Sequence, residues 1–201
     1  MKRYIYLLSP NKIENSFYSN LEKVLSKKKI EYFQLRLKNT SKNQIVKIGK
    51  KIKKITNKYN VKLIINDSPE LAKKIGADGC HLGQLDPSIK HAKKILKKKI
   101  IGVTCHGSLK LVDKAIKAKP DYIAVGSFFS SRLKPNAKKA KIKIIKQIKN
   151  KTKIPVVAIG GINRKNYKKV MSQGANFIAI SSYIWNNPVL KPINAIKKFY
   201  K

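Results

Sequence analysis

Two kinds of segment alternate along this chain. Short runs of apolar and β-branched residues read as strands, and between them lie longer stretches whose apolar positions recur every three or four residues, as on one face of a helix. The strand pattern covers 3–8, 32–37, 62–65, 79–82, 100–104, 122–125, 156–159 and 177–180. The helical pattern covers 14–28, 41–58, 69–75, 88–96, 108–118, 140–150, 163–173 and 188–200. The clearest helix places Ile45, Ile48, Ile52 and Ile55 on one face, with Ser41 as its N-cap. Eight strands alternating with eight helices predict an α/β fold, a closed (β/α)₈ barrel forming one domain over residues 1–201. The competing open, doubly wound sheet normally has a glycine-rich turn after its first strand, and here Ser9-Pro10-Asn11 follows instead.

In a parallel barrel the chemistry gathers at the carboxyl ends of the strands. In the second strand, Gln34, Arg36 and Lys38 alternate with Phe33, Leu35 and Leu37, so period-two geometry puts the polar side chains on one face. With the apolar face under the helices, the polar face looks into the barrel mouth, where buried cations call for an anion. The competing reading is an exposed edge strand. The third strand ends in Asn66-Asp67, and Asp86 follows the fourth. Two of only nine acidic residues thus fall past adjacent strand ends, which suggests Mg²⁺ held by carboxylates and phosphate oxygens. The plainer alternative is that Asp67 and Asp86 cap the helices that follow them. Cys80-His81 and Cys105-His106 match no familiar zinc spacing and are expected to serve the core or line the mouth. Past the sixth strand, Gly126 to Lys134 is rich in hydroxyls and cations. Gly160-Gly161 and Ser181-Ser182 end the seventh and eighth strands, where such barrels bind phosphate.

Charge and composition adjust this picture little. The net charge of +38 would ordinarily suggest nucleic acid. Only four of the 47 basic residues are arginine (Arg3, Arg36, Arg132, Arg164), however, and the lysines spread over every predicted helix. A solvated lysine surface is the expectation. The expected partners are small phosphorylated molecules, with neither nucleic acid nor membrane, and self-association into a homo-oligomer stays open. No apolar run is long enough to span a bilayer, and the apolar stretch before Ser9 is too short for a signal peptide. Two cysteines form no disulfide framework, in keeping with a cytoplasmic location.

The segments QLRLK (34–38), LIIND (63–67), ADGCHLGQLD (77–86), IIGVTCH (100–106) and VVAIGGI (156–162), followed by Ser181-Ser182, together resemble the thiamine phosphate synthase family over nearly the whole chain. The resemblance implies a transferase of thiamine biosynthesis on a TIM barrel. Such an enzyme joins 4-amino-2-methyl-5-hydroxymethylpyrimidine diphosphate to a thiazole phosphate and releases pyrophosphate, by a dissociative, Mg²⁺-assisted route. It implies that Gln34, Arg36, Lys38, Asn66, Thr104 and Lys134 hold the pyrimidine diphosphate, with Arg36, Lys38 and Lys134 as its catalytic cations. It implies further that Asp67 and Asp86 ligate Mg²⁺, and that Ser131, Gly161, Ser181 and Ser182 hold the thiazole phosphate. Two departures stand out: Leu133 replaces a hydroxyl residue of the family's loop, and Ser68 stands where an arginine often follows Asn-Asp. Related thiazole tautomerases tend to lose the diphosphate and metal residues and carry a histidine where this chain has Ser127. Retention of Arg36, Lys38, Asp67, Asp86 and Lys134 favours the synthase. A basic nucleic-acid-binding protein is the reading from another class, and it leaves the strand-end residues unexplained.

Overall fold

A computed structural model of the chain describes residues 4–130 and 138–199. Its strands are β1 (Ile5–Leu8), β2 (Ile30–Leu35), β3 (Lys62–Asn66), β4 (Gly79–Leu82), β5 (Ile100–Thr104), β6 (Tyr122–Val125), β7 (Val156–Ala158) and β8 (Phe177–Ile180). The helices are α1 (Asn15–Leu25), α2 (Lys42–Lys58), α3 (Pro69–Ile75), α4 (Ile89–Leu96), α5 (Leu109–Ala118), α6 (Ile144–Lys151), α7 (Tyr167–Met171), α8 (Ser182–Trp185) and α9 (Pro192–Lys197). The strands pair in parallel in sequence order, and β1 closes onto β8 through Ile5, Tyr6 and Leu7. This is the expected single-domain (β/α)₈ barrel.

Alternation along the strands divides the core in two. Outward residues such as Leu7, Phe33, Leu63, Cys80 and Ile101 pack under the helices. Inward residues, among them Tyr6, Ile64, Tyr122, Val157 and Ala179, fill the barrel. The amphipathic helices close the outer core because each buries one stripe and leaves most of its lysines in water. In α2 the buried positions Val46, Gly49, Ile52 and Thr56 follow the helical repeat, and Ser41 caps it, accepting from the Gln44 N–H at 3.3 Å.

At the amino-terminal end of the barrel, Asp78, Asp121 and Asn176 each immediately precede an even-numbered strand. Each side chain accepts from a backbone N–H at the start of the preceding strand: Leu63 at 2.7 Å, Ile101 at 2.8 Å and Val156 at 2.9 Å. Their own N–H groups donate back to the carbonyls of the same three residues. These clasps pin the register of β3/β4, β5/β6 and β7/β8.

Several expectations shift, three of them with a clear local cause or a large change of start. The second strand ends at Leu35 rather than Leu37, because β1 stops at Leu8 and Ser9 then takes over the exit of β2. The Ser9 N–H donates to the Gln34 carbonyl, and its hydroxyl accepts from the Arg36 N–H at 3.0 Å. The helix expected over 188–200 is confined to α9, because the Asn187 side-chain oxygen accepts from the Val189 and Leu190 N–H groups at 3.1 and 2.9 Å and holds the chain in a turn between α8 and α9. The helix after the sixth strand begins at Ile144 rather than Ala140. Among the described residues, no helix is long and apolar enough to cross a membrane.

Candidate functional site

The carboxyl ends of the strands open into a cavity of about 1170 Å³. Gln34, Arg36, Lys38, Asn66 and Thr104 line it, and so do Asp67, Asp86, Gly161, Ser181 and Ser182. Ten of the residues singled out from the sequence therefore share one mouth. Ser131 and Lys134, with Leu133, lie outside the described residues.

The mouth has two unlike halves. From β2 to β5 the uppermost inward positions are Gln34, Asn66, His81 and Thr104, and the loops beyond add the charges. From β6 around to β8 the lining side chains Ala124, Val157, Ile159 and Ala179 are small or apolar, with Gly126, Gly160 and Gly161 at the rim. A ligand charged at one end and apolar at the other, or two ligands side by side, would match that division.

On the polar side, Asp67 and Asp86 are neighbours in the cavity wall. Burial pushes the Asp67 carboxyl up to about 6, and Asp86 beside it pushes the same way, against the pull of Arg36 and Lys38. Asp86 is itself fixed by the Gly83 N–H, which donates to its Oδ2 at 2.5 Å. Neither acid caps a helix: Ser68 accepts from the Leu71 N–H at the start of α3, and Ser88 from the His91 N–H at the start of α4. Ser68, the departure from the family pattern, is thus occupied as a cap. Among the described residues, no three His, Cys, Asp or Glu side chains gather into a metal cluster. Two apposed carboxylates do fit a hard divalent cation that completes its shell with phosphate oxygens and water, since the cation would offset both the burial and the neighbouring charge that raise Asp67. Asp67 and Asp86 are the residues that would hold it.

The cations of the mouth are Arg36 and Lys38, joined by Lys138, Lys139, Lys141 and Lys143 from the segment leading into α6. Among the described residues, none of these six is in an ion pair with a carboxylate, whereas Lys53, Lys58 and Lys151 elsewhere are. A cluster of unpaired cations around a cavity attracts polyanions. The four lysines escaped the sequence reading because they sit in a run indistinguishable from the lysine-rich surface.

On the other side, Gly160 and Gly161 adopt φ of 96° and 62°. A Cβ on Gly160 would fall 1.9 Å from the Ser127 Oγ, and one on Gly161 2.4 Å from the Ser130 carbonyl. The glycines therefore also seat the loop after β6, whose Phe128 and Phe129 N–H groups donate to the Ile159 and Gly160 carbonyls. The Ser181 hydroxyl donates to the Ser9 carbonyl at 3.0 Å and so ties β8 to β1, while Ser182 opens α8.

Cys80 and Cys105 are buried in the outer core, and burial pushes both thiols up to about 12. His81 faces inward instead, and burial holds it down at about 4, so it is neutral. Cys80 and His81 thus face opposite sides of one strand and form no zinc pair. Tyr6 and Tyr122, buried beneath the polar half, were not singled out from the sequence. The available signal was a tyrosine at an inward position of the first strand, together with a glycine, Gly102, opposite the second tyrosine.

Comparison with known proteins agrees with this architecture. The family model described as "Thiamine monophosphate synthase" matches residues 5–184. The chain is 55% identical over 199 residues to a thiamine-phosphate synthase of Pelagibacter ubique, covering 98% of this chain and 96% of that one. It is 36% identical over 193 residues to that of Clostridium acetobutylicum, covering 93% and 89%. A solved thiamine phosphate pyrophosphorylase from Pyrococcus furiosus superposes with a TM-score of 0.86 at 29% identity, covering 98% of this chain and 93% of that one. The chain belongs to the thiamine monophosphate synthase family and is a transferase.

Proposed function

We propose that the protein joins 4-amino-2-methyl-5-hydroxymethylpyrimidine diphosphate to a thiazole phosphate, forming thiamine phosphate and pyrophosphate. The observation that carries this reading is the apposed Asp67–Asp86 pair beside Arg36 and Lys38, which pair with no carboxylate among the described residues, a place for a metal-bound diphosphate.

In the proposed reaction the bond from the pyrimidine methylene to the diphosphate oxygen breaks, and its electron pair leaves with pyrophosphate. The thiazole nitrogen donates its lone pair to the methylene carbon, forming the new C–N bond and a thiazolium. No protein nucleophile is needed. Arg36 and Lys38 stabilise the charge gathering on the leaving group, and Lys134 is assigned to the same task. Gln34, Asn66 and Thr104 hold the pyrimidine, while Gly161, Ser181, Ser182 and Ser131 are assigned to the thiazole phosphate. Holding the two substrates in adjacent halves of one mouth supplies the proximity the trapping step requires. Mg²⁺ on Asp67 and Asp86, when bound, would neutralise diphosphate charge.

The test is formation of thiamine phosphate by the purified protein from the two substrates, with and without Mg²⁺. Product is expected only when both substrates and Mg²⁺ are present. Absence of product under all conditions would overturn the reading, and full activity in EDTA would overturn the metal assignment.

A further inference from the structure

Below the mouth, five side chains from five strands join in one line of hydrogen bonds. Gln34 Nε2 donates to the Tyr6 hydroxyl at 2.9 Å, and that hydroxyl meets the Tyr122 hydroxyl at 2.7 Å. The Tyr122 hydroxyl meets His81 Nδ1 at 2.9 Å, and His81 Nε2 meets the Thr104 hydroxyl at 2.7 Å. Gln34, Tyr6, Tyr122 and His81 are all at least nine-tenths buried, and the two end groups, Gln34 and Thr104, line the cavity. The fold makes room for the line. A Cβ on Gly102 would lie 1.9 Å from Tyr122 Cζ and 2.4 Å from its oxygen, so β5 forgoes a side chain where that ring crosses it. The ring also stacks on His81, with centroids 5.6 Å apart and planes 11° from parallel.

Counting hydrogens gives the line a direction. Each hydroxyl has one hydrogen, and a neutral imidazole has one. Because Gln34 donates to Tyr6, the Tyr6 hydrogen passes on to Tyr122, and the Tyr122 hydrogen to His81 Nδ1. The imidazole hydrogen then sits on Nε2 and is given to Thr104, which leaves the Thr104 hydrogen for the cavity. A reversal at any single link would put two hydrogens, or none, into one short buried contact, which is costly.

We infer that Tyr6 and Tyr122 are positioning residues that couple Gln34 to Thr104, fixing an acceptor (Gln34 Oε1) at one end of the floor and a donor (the Thr104 hydroxyl) at the other. The inference rests on the proposed function, and it states what the floor reads on the pyrimidine. A 4-aminopyrimidine carries the complementary groups: amino hydrogens for the acceptor and ring nitrogens for the donor. The 4-oxo analogue has a carbonyl in place of the amino group and an N–H in place of a ring nitrogen, so the same fixed floor rejects it.

The test compares the full-length protein with Tyr6→Phe and Tyr122→Phe, each of which removes one link and keeps the ring. Each variant is expected to raise KM for the aminopyrimidine diphosphate about tenfold and to weaken discrimination against the 4-oxo diphosphate about as much. KM for the thiazole phosphate should stay unchanged. The double variant should be no worse than either single one, because the links act as a unit. A purely structural role would lower thermal stability without moving the amino-over-oxo ratio, and that result would overturn the inference. Gly102→Ala, which keeps every polar group but displaces the Tyr122 ring, should reproduce the loss of discrimination and serves if a Phe variant fails to fold. Independently, ¹⁵N NMR of the wild type should show His81 as the Nε2–H tautomer, and an Nδ1–H tautomer would overturn the assigned direction. If the wild type makes no thiamine phosphate the functional reading falls, and the tautomer still decides the line.

Discussion

The two ends of this barrel use the same kinds of residue to opposite effect. At the amino-terminal end, three polar side chains that enter the strand ladder each have a fixed backbone partner. Asp78 accepts from the Leu63 N–H and from Lys53 Nζ at 2.7 and 2.6 Å, Asp121 from the Ile101 N–H, and Asn176 from the Val156 N–H. At the carboxyl end, Asp67 and Asp86 are set against each other, and six cations face the cavity without a carboxylate partner among the described residues. One end satisfies its polar groups internally and contributes stability. The other leaves charge uncompensated, which costs stability unless a ligand arrives. A mouth of this kind is poorly matched to itself and well matched to a metal and a polyanion.

The sharpest way to break that contrast is to neutralise the mouth. Asp67→Asn or Asp86→Asn is expected to lower turnover with Mg²⁺ by about a hundredfold or more, roughly 2.7 kcal/mol of transition-state stabilisation. Because the substitution removes like-charge repulsion, the metal-free variants should melt no lower than the wild type. Steady-state assays beside thermal melts check both halves. Variants with wild-type turnover would show that the pair does not serve catalysis.

The second prediction concerns acid. His81 is buried and neutral, with its pKa held at about 4 against an ordinary value near 6.5. Its contribution to folding is therefore fully present above pH 6.5 and is lost as pH falls through 4, up to about 3 kcal/mol. Urea unfolding at a series of pH values should show this acid limb in the wild type and a shallower one in His81→Gln. The Asp121→Ala protein should keep the wild-type limb, since its lesion lies at the other end of the barrel.

How much of this could be read in advance differs between the same two ends. The mouth was legible because strand alternation and the carboxyl-end rule act locally. Gln34, Arg36 and Lys38 declare their face within five residues, and Asp67 follows its strand directly. The clasps were not legible, since Asp78, Asp121 and Asn176 are single residues before ordinary strands and acquire meaning only once strand register is known. The Tyr6–Tyr122 contact joins positions 116 apart and depends on barrel closure. Arg36 was expected within a strand and lies just beyond it, because Ser9, on a different strand's exit, decides where β2 stops. The late start of the last helix turns on the Asn187 side chain, which a periodic pattern cannot register.

Removing a clasp outright should cost less than acid does at its limit. Asp121→Ala leaves the N–H of the fully buried Ile101 without its acceptor, a loss of about 2 kcal/mol. For a chain of this length that lowers Tm by about 4–8 °C. Activity per folded molecule should be unchanged, as assays below the melting transition would show. A fall in kcat would mean that strand register at the closed end is transmitted to the mouth.

The smallest effect is the most discriminating, because it applies the mouth's own substitution to the other end. Asp121→Asn keeps an oxygen that can accept from the Ile101 N–H, and Asn176 already does this work with an amide, holding the Val156 N–H at 2.9 Å. What the clasp requires is an acceptor of the right length, not a charge. The expected cost is within about 0.5 kcal/mol, a Tm change of no more than about 2 °C, with unaltered kinetics. Asp→Asn would then be nearly silent at one end of the barrel and worth a hundredfold in turnover at the other. A loss at Asp121 comparable to that of the alanine variant would show that charge matters there too. The clasps would then be electrostatic devices like the mouth, and the division drawn between the two ends would fail.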